Sequence, residues 1–292
     1  MMVNLTGMIK AANKIANKDS KSSAAIGFIK GIFPTFGLRR EAYDAYIEDI
    51  NNSNLSGQAK ALAIMNVKKD LKKYNEENNQ ATIASIAIES AAAGTDFNET
   101  SQVDDDWLAR YMEQAKFVSN ENQQLVWGRI LAGEFEKPGS TPMQVARILS
   151  EITVEHANVF NCICNLSIAI NWGLSGPYVY NPIIDPLESY CQQMKLNYKN
   201  LSELETYGLI KFDVSPDGHR YNYSANKYPE IYLKYGNKIC VIDNCQSYFH
   251  CGYVVFTDAG SSIAQAVIND DIEEYFEWVK LYLIKKGQFV IK

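Results

Sequence analysis

Residues 104–140 read DDDWLARYMEQAKFVSNENQQLVWGRILAGEFEKPGS, and the reading of this stretch decides the fold class. Trp107, Leu108, Tyr111, Met112 and Ala115 stand at i, i+1, i+4, i+5 and i+8, which is one face of a helix. Asp104, Asp105 and Asp106 precede it, where capping oxygens and negative charge suit a helix start. A second helix carries Leu125, Trp127, Ile130 and Leu131, with Ser119 as its expected cap. The run EKPGS at 136–140 is a turn by composition. Ser140 or Thr141 is then expected to cap a third helix, with Pro142 in its first turn and Val145, Ile148, Leu149 and Ile152 as its stripe. A fourth helix follows over about 154–166.

Working toward the N-terminus, residues 56–93 are rich in Ala, Lys, Glu and Gln and free of proline, a composition with high helix propensity. Leu62, Ile64, Met65, Val67 and Leu71 form one stripe there, and Ile83, Ile86, Ile88 and Ala91 another. The polar run 74–80 between them reads either as a break or as an exposed stretch of one long helix. A shorter polar helix is expected from Arg39 to about Asp49, closed by Asn51, Asn52, Ser53 and Asn54. Residues 1–40 differ in kind. Lys10, Lys14, Lys18, Lys21, Lys30, Arg39 and Arg40 face one acid, Asp19, and Ile26, Phe28, Ile29, Ile32, Phe33 and Phe36 cluster near the end of the segment. Basic charge beside aromatic and aliphatic bulk suits an interfacial membrane anchor; the same cluster also suits burial in a core or between subunits.

Toward the C-terminus the pattern changes after Pro177. Leu201, Leu204 and Tyr207 make a short helix, with Asn200 and Glu203 placed as a capping box and Gly208 as the stop. Short strands are expected at 209–212, 220–223, 231–233, 239–242, 253–257 and 289–291, with a Pro216-Asp217-Gly218 turn after the first. Thr257 or Asp258 is expected to cap a helix to about 268, and a last helix to run from about 272 to 284. A helix followed by strands and a further helix is how small winged-helix-like domains read.

The 292 residues carry a net charge of −6, which disfavours a surface that tracks nucleic acid throughout. Residues 151–292 hold 11 basic and 16 acidic side chains, a net of −5, with Asp271, Glu273, Glu274 and Glu277 close together. Lys195 and Lys199 in the expected recognition segment are offset by Glu203 and Glu205. Six cysteines without a secretory leader point to reduced thiols in the cytoplasm. No stretch approaches the roughly 18 uninterrupted apolar residues of a membrane-spanning helix.

Chemistry finds little support. Three consecutive aspartates at a helix start do not converge on one ion, and capping explains them. Trp107 and Trp127 at helical spacing read as core before they read as a ligand-stacking pair. The sequence WGRILAGE at 127–134 has no preceding strand and no following Lys-Ser/Thr, so it is no phosphate loop. Gly128 reads as a close helix contact and Gly133 as a helix end. Glu134 reads as a partner of Arg129 or a cap. Cys240, Cys245, His250 and Cys251 lack a C-x-x-C knuckle, and Cys162 and Cys164 face different directions on a helix. No G-x-S-x-G elbow occurs.

The central block nevertheless has a likeness. Asp106-Trp107, Tyr111, Val118-Ser119, Gln124, Trp127-Gly128, Ile130 to Glu134 and Pro138-Gly139-Ser140 resemble the bacterial family known as domain of unknown function 2806. The resemblance extends to Asn4-Leu5-Thr6-Gly7, to Arg39-Arg40, and to a C-terminal layout of helix, Gly-Leu-Ile, strands and Leu-Thr-x-x-Gly. Here that layout is Leu204 to Ile210 and Phe256 to Gly260, with Phe256 in place of leucine. A similar spacing in abortive-infection proteins of the alpha type implies a link to phage defence by analogy.

These observations set the expectations. The fold is mainly α: a basic and apolar segment at 1–40, a long helical region at 41–102, a helical core at 103–175, and a small α+β, winged-helix-like domain at 176–292. The function expected is that of a non-enzymatic bacterial defence or stress protein acting by homo-oligomerisation and by engaging a membrane or a partner; the alternative is a nucleic-acid-binding regulator. The contact residues expected are Ile26, Phe28, Ile29, Ile32, Phe33 and Phe36. Asp106, Trp107, Trp127, Gly128, Gly133, Glu134, Pro138, Gly139 and Ser140 are expected to be structural. No catalytic residue, metal or cofactor is expected, and the expected location is the cytoplasm, with peripheral contact at the inner membrane left open.

Overall fold

Ser56 opens the longest helix among the described residues. In the computed structural model its side chain accepts from the Ala59 N–H (3.3 Å), and a 34-residue helix, α2 (Gly57–Ser90), follows without interruption. The structure describes residues 41–91, 103–172, 179–215, 218–222, 229–243, 248–267 and 272–290. Residues 1–40, with the expected contact residues Ile26 to Phe36, lie outside that set. The described chain divides into two compact units between Ala146 and Arg147. The expected helical block 103–175 straddles that division.

In the first unit, α1 (Glu41–Asn52) precedes α2, and the rings of Tyr43 and Tyr74 meet at 5.5 Å. The family block forms α3 (Asp105–Ala115) and α4 (Glu121–Glu136). Asp104 Oδ1 accepts from the Trp107 N–H at 2.7 Å, so the triple aspartate caps α3 as expected. Asn120, not Ser119, caps α4, accepting from the Gln123 N–H at 3.1 Å. Gly133 lies within the last turn of α4 and does not end it: Lys137 N–H returns to the Gly133 carbonyl.

The polar run 74–80 of α2 does not break the helix, and apart from the exposed Asn75 it is half-buried or buried. Tyr74 is buried, and Asn79 and Gln80 donate to the carbonyls of Lys116 and Met112, both at 2.8 Å. Both carbonyls lie at the C-terminal end of α3: that of Lys116 is past the last helical turn, where acceptors are left unfilled, and that of Met112 accepts from the Lys116 N–H (3.2 Å) as well. Helix-end chemistry therefore consumes the polar side chains that looked solvent-facing in sequence.

Helix α5 (Gln144–Glu151) spans the division. It begins two residues past Pro142, so neither Ser140 nor Thr141 sits at its cap. Thr153 caps α6 (Val154–Asn165), accepting from the His156 N–H at 3.3 Å.

The second unit holds antiparallel strands and short helices. Strands β1 (Ser167–Trp172), β2 (Val179–Pro182), β5 (Glu230–Tyr235), β6 (Lys238–Asp243) and β9 (Phe289–Val290) form a sheet of order β2-β1-β5-β6-β9. Two ribbons pair β3 (Ile210–Phe212) with β8 (Val254–Phe256) and β4 (Arg220–Asn222) with β7 (Tyr248–His250). The helices are α7 (Ser189–Gln193), α8 (Tyr198–Tyr207), α9 (Asp258–Ala266) and α10 (Glu273–Lys285). Asn197 caps α8, accepting from the Asn200 N–H at 3.0 Å, so the cap stands three residues before the expected Asn200. Gly208 ends α8 in the left-handed region (φ 82°), as expected. Thr257 caps α9.

Strands β1, β2 and β7 and helix α7 had no counterpart in the sequence reading. Ile168, Ala169, Ile170 and Asn171 of β1 are all buried. A strand covered on both faces shows no alternation, and nothing but Leu166 separates β1 from α6. Buried tyrosines fasten this unit. Tyr275 Oη accepts from the Ile183 N–H (2.8 Å) and donates to its carbonyl (3.1 Å), while Tyr235 Oη donates to the Asn165 carbonyl (2.5 Å) and accepts from the Ile272 N–H (2.9 Å). The architecture is mainly α with antiparallel sheet toward the C-terminus.

Candidate functional site

The residues of the 104–140 block converge on one aromatic core. Trp107 stacks on Tyr111 at 4.7 Å and 12°, and Tyr111 meets Trp127 at 4.8 Å. Two polar edges are filled: Tyr111 Oη donates to the Trp127 carbonyl (2.7 Å) and Trp107 Nε1 to the Thr141 carbonyl (3.0 Å). All three side chains are buried, and burial pushes the Tyr111 phenol well above its ordinary range. A ligand has no ring face to stack on there, and the core reading holds.

Glu134 is the one deeply buried carboxylate of the block, at 1% exposure. Its two oxygens accept from the backbone N–H groups of Gly139 (2.5 Å) and Thr141 (2.8 Å). It thereby ties down the loop after its own helix, which carries Pro138, Gly139 and Ser140. Gly128 serves close contact: a Cβ there would lie 2.3 Å from Ile86 Cγ2 of α2. Gln124 adds a donor to the Val118 carbonyl (2.8 Å) beneath the same contact.

The C-terminal motif fragments also meet. Thr257 Oγ1 donates to the Gly208 carbonyl (2.6 Å) and accepts from the Gly260 N–H (3.0 Å). An added Cβ on Gly260 would stand 1.8 Å from the Leu209 carbonyl oxygen. The Gly-Leu-Ile and Thr-x-x-Gly elements, far apart in sequence, thus form one corner of the second unit.

The family described as "Protein of unknown function (DUF2806)" matches residues 67–280. The chain belongs to this family. No curated protein and no solved structure matches it. The DUF2806 match takes in the aromatic core, the Glu134 loop and the Thr257–Gly260 corner, all of which are packing features. Residues 1–66 and 281–292 lie outside the matched stretch.

Among the described residues no group of three or more His, Cys, Asp or Glu is placed to hold a metal ion. Cys162, Cys164, Cys191, Cys240 and Cys251 are free thiols, and Cys245 lies outside the described residues. Burial pushes the Cys191 and Cys251 thiols up to about 12, so both stay protonated and unreactive near neutral pH. A hydroxyl, an imidazole and a carboxylate do line up at the end of α6: Thr153 Oγ1 lies 2.6 Å from His156 Nδ1, and His156 Nε2 lies 2.9 Å from Glu203 Oε2 of α8. Thr153 is occupied as a helix cap there, and the His156–Glu203 contact fastens α6 to α8.

The described surface carries exposed apolar side chains in both units, among them Phe117, Val154 and Ile239, and two groups of them lie close together in sequence or beside one ion pair. In the second unit Leu187, Leu281 and Ile284 are exposed near the Glu188–Lys285 ion pair (2.6 Å). In the first unit the leading half of α2 carries the exposed Leu62 and Met65. No residue from Gly57 to Lys73 is buried. The helix propensity of this half is legible in sequence; that its apolar stripe is left partly open is a tertiary fact. Among the described residues no helix is long and apolar enough to cross a membrane.

Proposed function

We propose that this DUF2806 protein is a non-enzymatic bacterial defence or stress protein. It acts by self-association and by engaging a membrane surface through its N-terminal region, under control of a protein partner at the second unit. The observation that supports this most is the leading part of α2: a helix with no fully buried residue in its first four to five turns, directly after α1 and the basic, aromatic-rich residues 1–40. The exposed Leu187, Leu281 and Ile284 give a partner apolar surface on the second unit. The link to abortive infection rests on the analogy in motif spacing alone.

The test is vesicle flotation of the full-length protein with and without the triple change Phe28→Ser, Phe33→Ser and Phe36→Ser. Wild-type protein is expected to rise with anionic vesicles and the variant to stay behind. Equal behaviour of the two would remove residues 1–40 from membrane engagement.

A second reading, a nucleic-acid-binding regulator, draws on a winged-helix-like likeness in the second unit. Helix α8 runs through Gly208 into β3, which pairs antiparallel with β8, and this reading takes that two-stranded ribbon as the wing. Its weakness is charge, since Lys199 already faces Glu203 at 3.9 Å. Salt-sensitive retention on DNA or RNA, lost on Lys195→Glu with Lys199→Glu, would favour this reading over the first.

A further inference from the structure

We infer that the leading half of α2 is itself a lipid-binding face, directed at anionic headgroups through Leu62, Met65, Lys69, Lys72 and Lys73. This inference rests on the membrane reading above and adds to it a contact outside residues 1–40. The segment 57–73 spans about 25 Å of helix. Steps of three, four and three residues align Leu62, Met65, Lys69 and Lys72 along one side, with Lys73 beside them. Leu62 is 56% and Met65 60% exposed, and Lys69, Lys72 and Lys73 are exposed.

The other side of the same segment is already used. Ile64, Val67 and Leu71 are half-buried and lead along the helix to Tyr74, whose ring meets Tyr43 of α1. Acid stands on both sides of the segment. The Tyr43 phenol is raised first by desolvation and then by the nearby Asp70, Tyr74 and Glu77, which places both carboxylates by α1. On the open side the acid is Glu76, 3.8 Å from Lys72; Lys73 reaches Glu77 at 3.7 Å. Both pairs are long and solvent-exposed on the lysine side, so they cost little to rearrange. Aliphatic side chains followed by lysines on one exposed helix face match an anionic lipid surface, which takes the apolar groups below its headgroups and the ammonium groups among them.

Other occupants fit less well. A second copy of this face would set lysines against lysines. Residues 1–40 carry seven basic groups against one acid and share its sign. Nucleic acid would pair with the lysines, but the face offers no arginine or aromatic side chain for bases and leaves Leu62 and Met65 unused.

The experiment uses full-length protein and phosphatidylcholine vesicles with and without phosphatidylglycerol. Leu62→Gln with Met65→Gln is expected to weaken partitioning onto the anionic vesicles by about tenfold or more. Lys69→Gln, Lys72→Gln and Lys73→Gln together are expected to lower it by about fivefold per lysine, and to narrow the gap between the two vesicle types. A Met65→Trp variant is expected to gain blue-shifted emission on anionic vesicles, which reports contact at this site and not merely in the same molecule. Wild-type-like partitioning of both α2 variants beside loss in the Phe28/Phe33/Phe36 variant would overturn the inference and leave the N-terminal reading standing. Loss in the α2 variants with an unaffected Phe28/Phe33/Phe36 variant would do the reverse. Absence of partitioning in the wild-type protein, or an effect of the lysine changes on nucleic-acid retention alone, would overturn the inference.

Discussion

Gly260→Ala is expected to destabilise the second unit by about 3 kcal/mol or more, near the upper end of what single substitutions do. The added Cβ would sit 1.8 Å from the Leu209 carbonyl oxygen, and backbone cannot swing aside as a flexible side chain does. Helix α9 cannot slide outward either. The Gly260 N–H is bonded to Thr257 Oγ1, and Thr257 is bonded to the Gly208 carbonyl, so retreat would break the cap as well. Urea unfolding followed by circular dichroism measures this directly. A change below about 1 kcal/mol would mean that the corner opens easily and that the glycine serves something other than close packing.

Trp127→Ala is expected to cost about 3–5 kcal/mol in the first unit. Trp127 is 1% exposed, and its loss would leave a cavity beside Tyr111 and strip that ring of its tilted neighbour. The Tyr111 hydroxyl would keep its acceptor, because it bonds to the backbone of residue 127 and not to the indole. Trp127→Phe should therefore recover most of the stability. Failure of phenylalanine to rescue would assign the indole a role beyond filling space. Near-ultraviolet circular dichroism, sensitive to the Trp107–Tyr111 stack, distinguishes a repacked core from an intact one.

These two sites show what a single sequence reveals and what it hides. The aromatic spacing of 107–115 and the aspartate cap were legible because both are local: helical period and capping chemistry act within a turn or two. Gly128 was legible as a close contact, yet its partner Ile86 was not, since nothing local to residue 128 specifies which helix approaches. Glu134 had several plausible partners in sequence, and the structure shows it accepting from a loop five to seven residues ahead. The run 74–80 misled for a physical reason: Asn79 and Gln80 look like surface residues until the carbonyls at the end of α3 are placed beside them. Strand β1 was hidden by its own burial, because a strand covered on both faces loses the alternation that betrays it.

The candidate site was legible only as composition. The basic and aromatic character of residues 1–40 stands out from the sequence alone. The open side of α2 does not, since Leu62 and Met65 belong to a stripe that reads as core throughout. The DUF2806 match begins at residue 67, inside α2, so the family's shared packing features cover the anchored half of that helix and leave out the turns bearing Leu62 and Met65.

The placement of anchors along α2 has a consequence for how the helix breathes. From Tyr74 onward, exposing an amide means prising apart the buried contacts at Ala81, Ile83 and Ala87 together with the Asn79 and Gln80 bonds to α3. From Gly57 to Lys73 it means only unwinding turns from the Ser56 end against the modest cover of α1. Deuterium uptake should therefore divide one continuous helix into a slow half and a fast half, with the step near Tyr74. A surface that captures the fast half would slow it without altering the other, so the helix would register its own occupancy as a change in fraying.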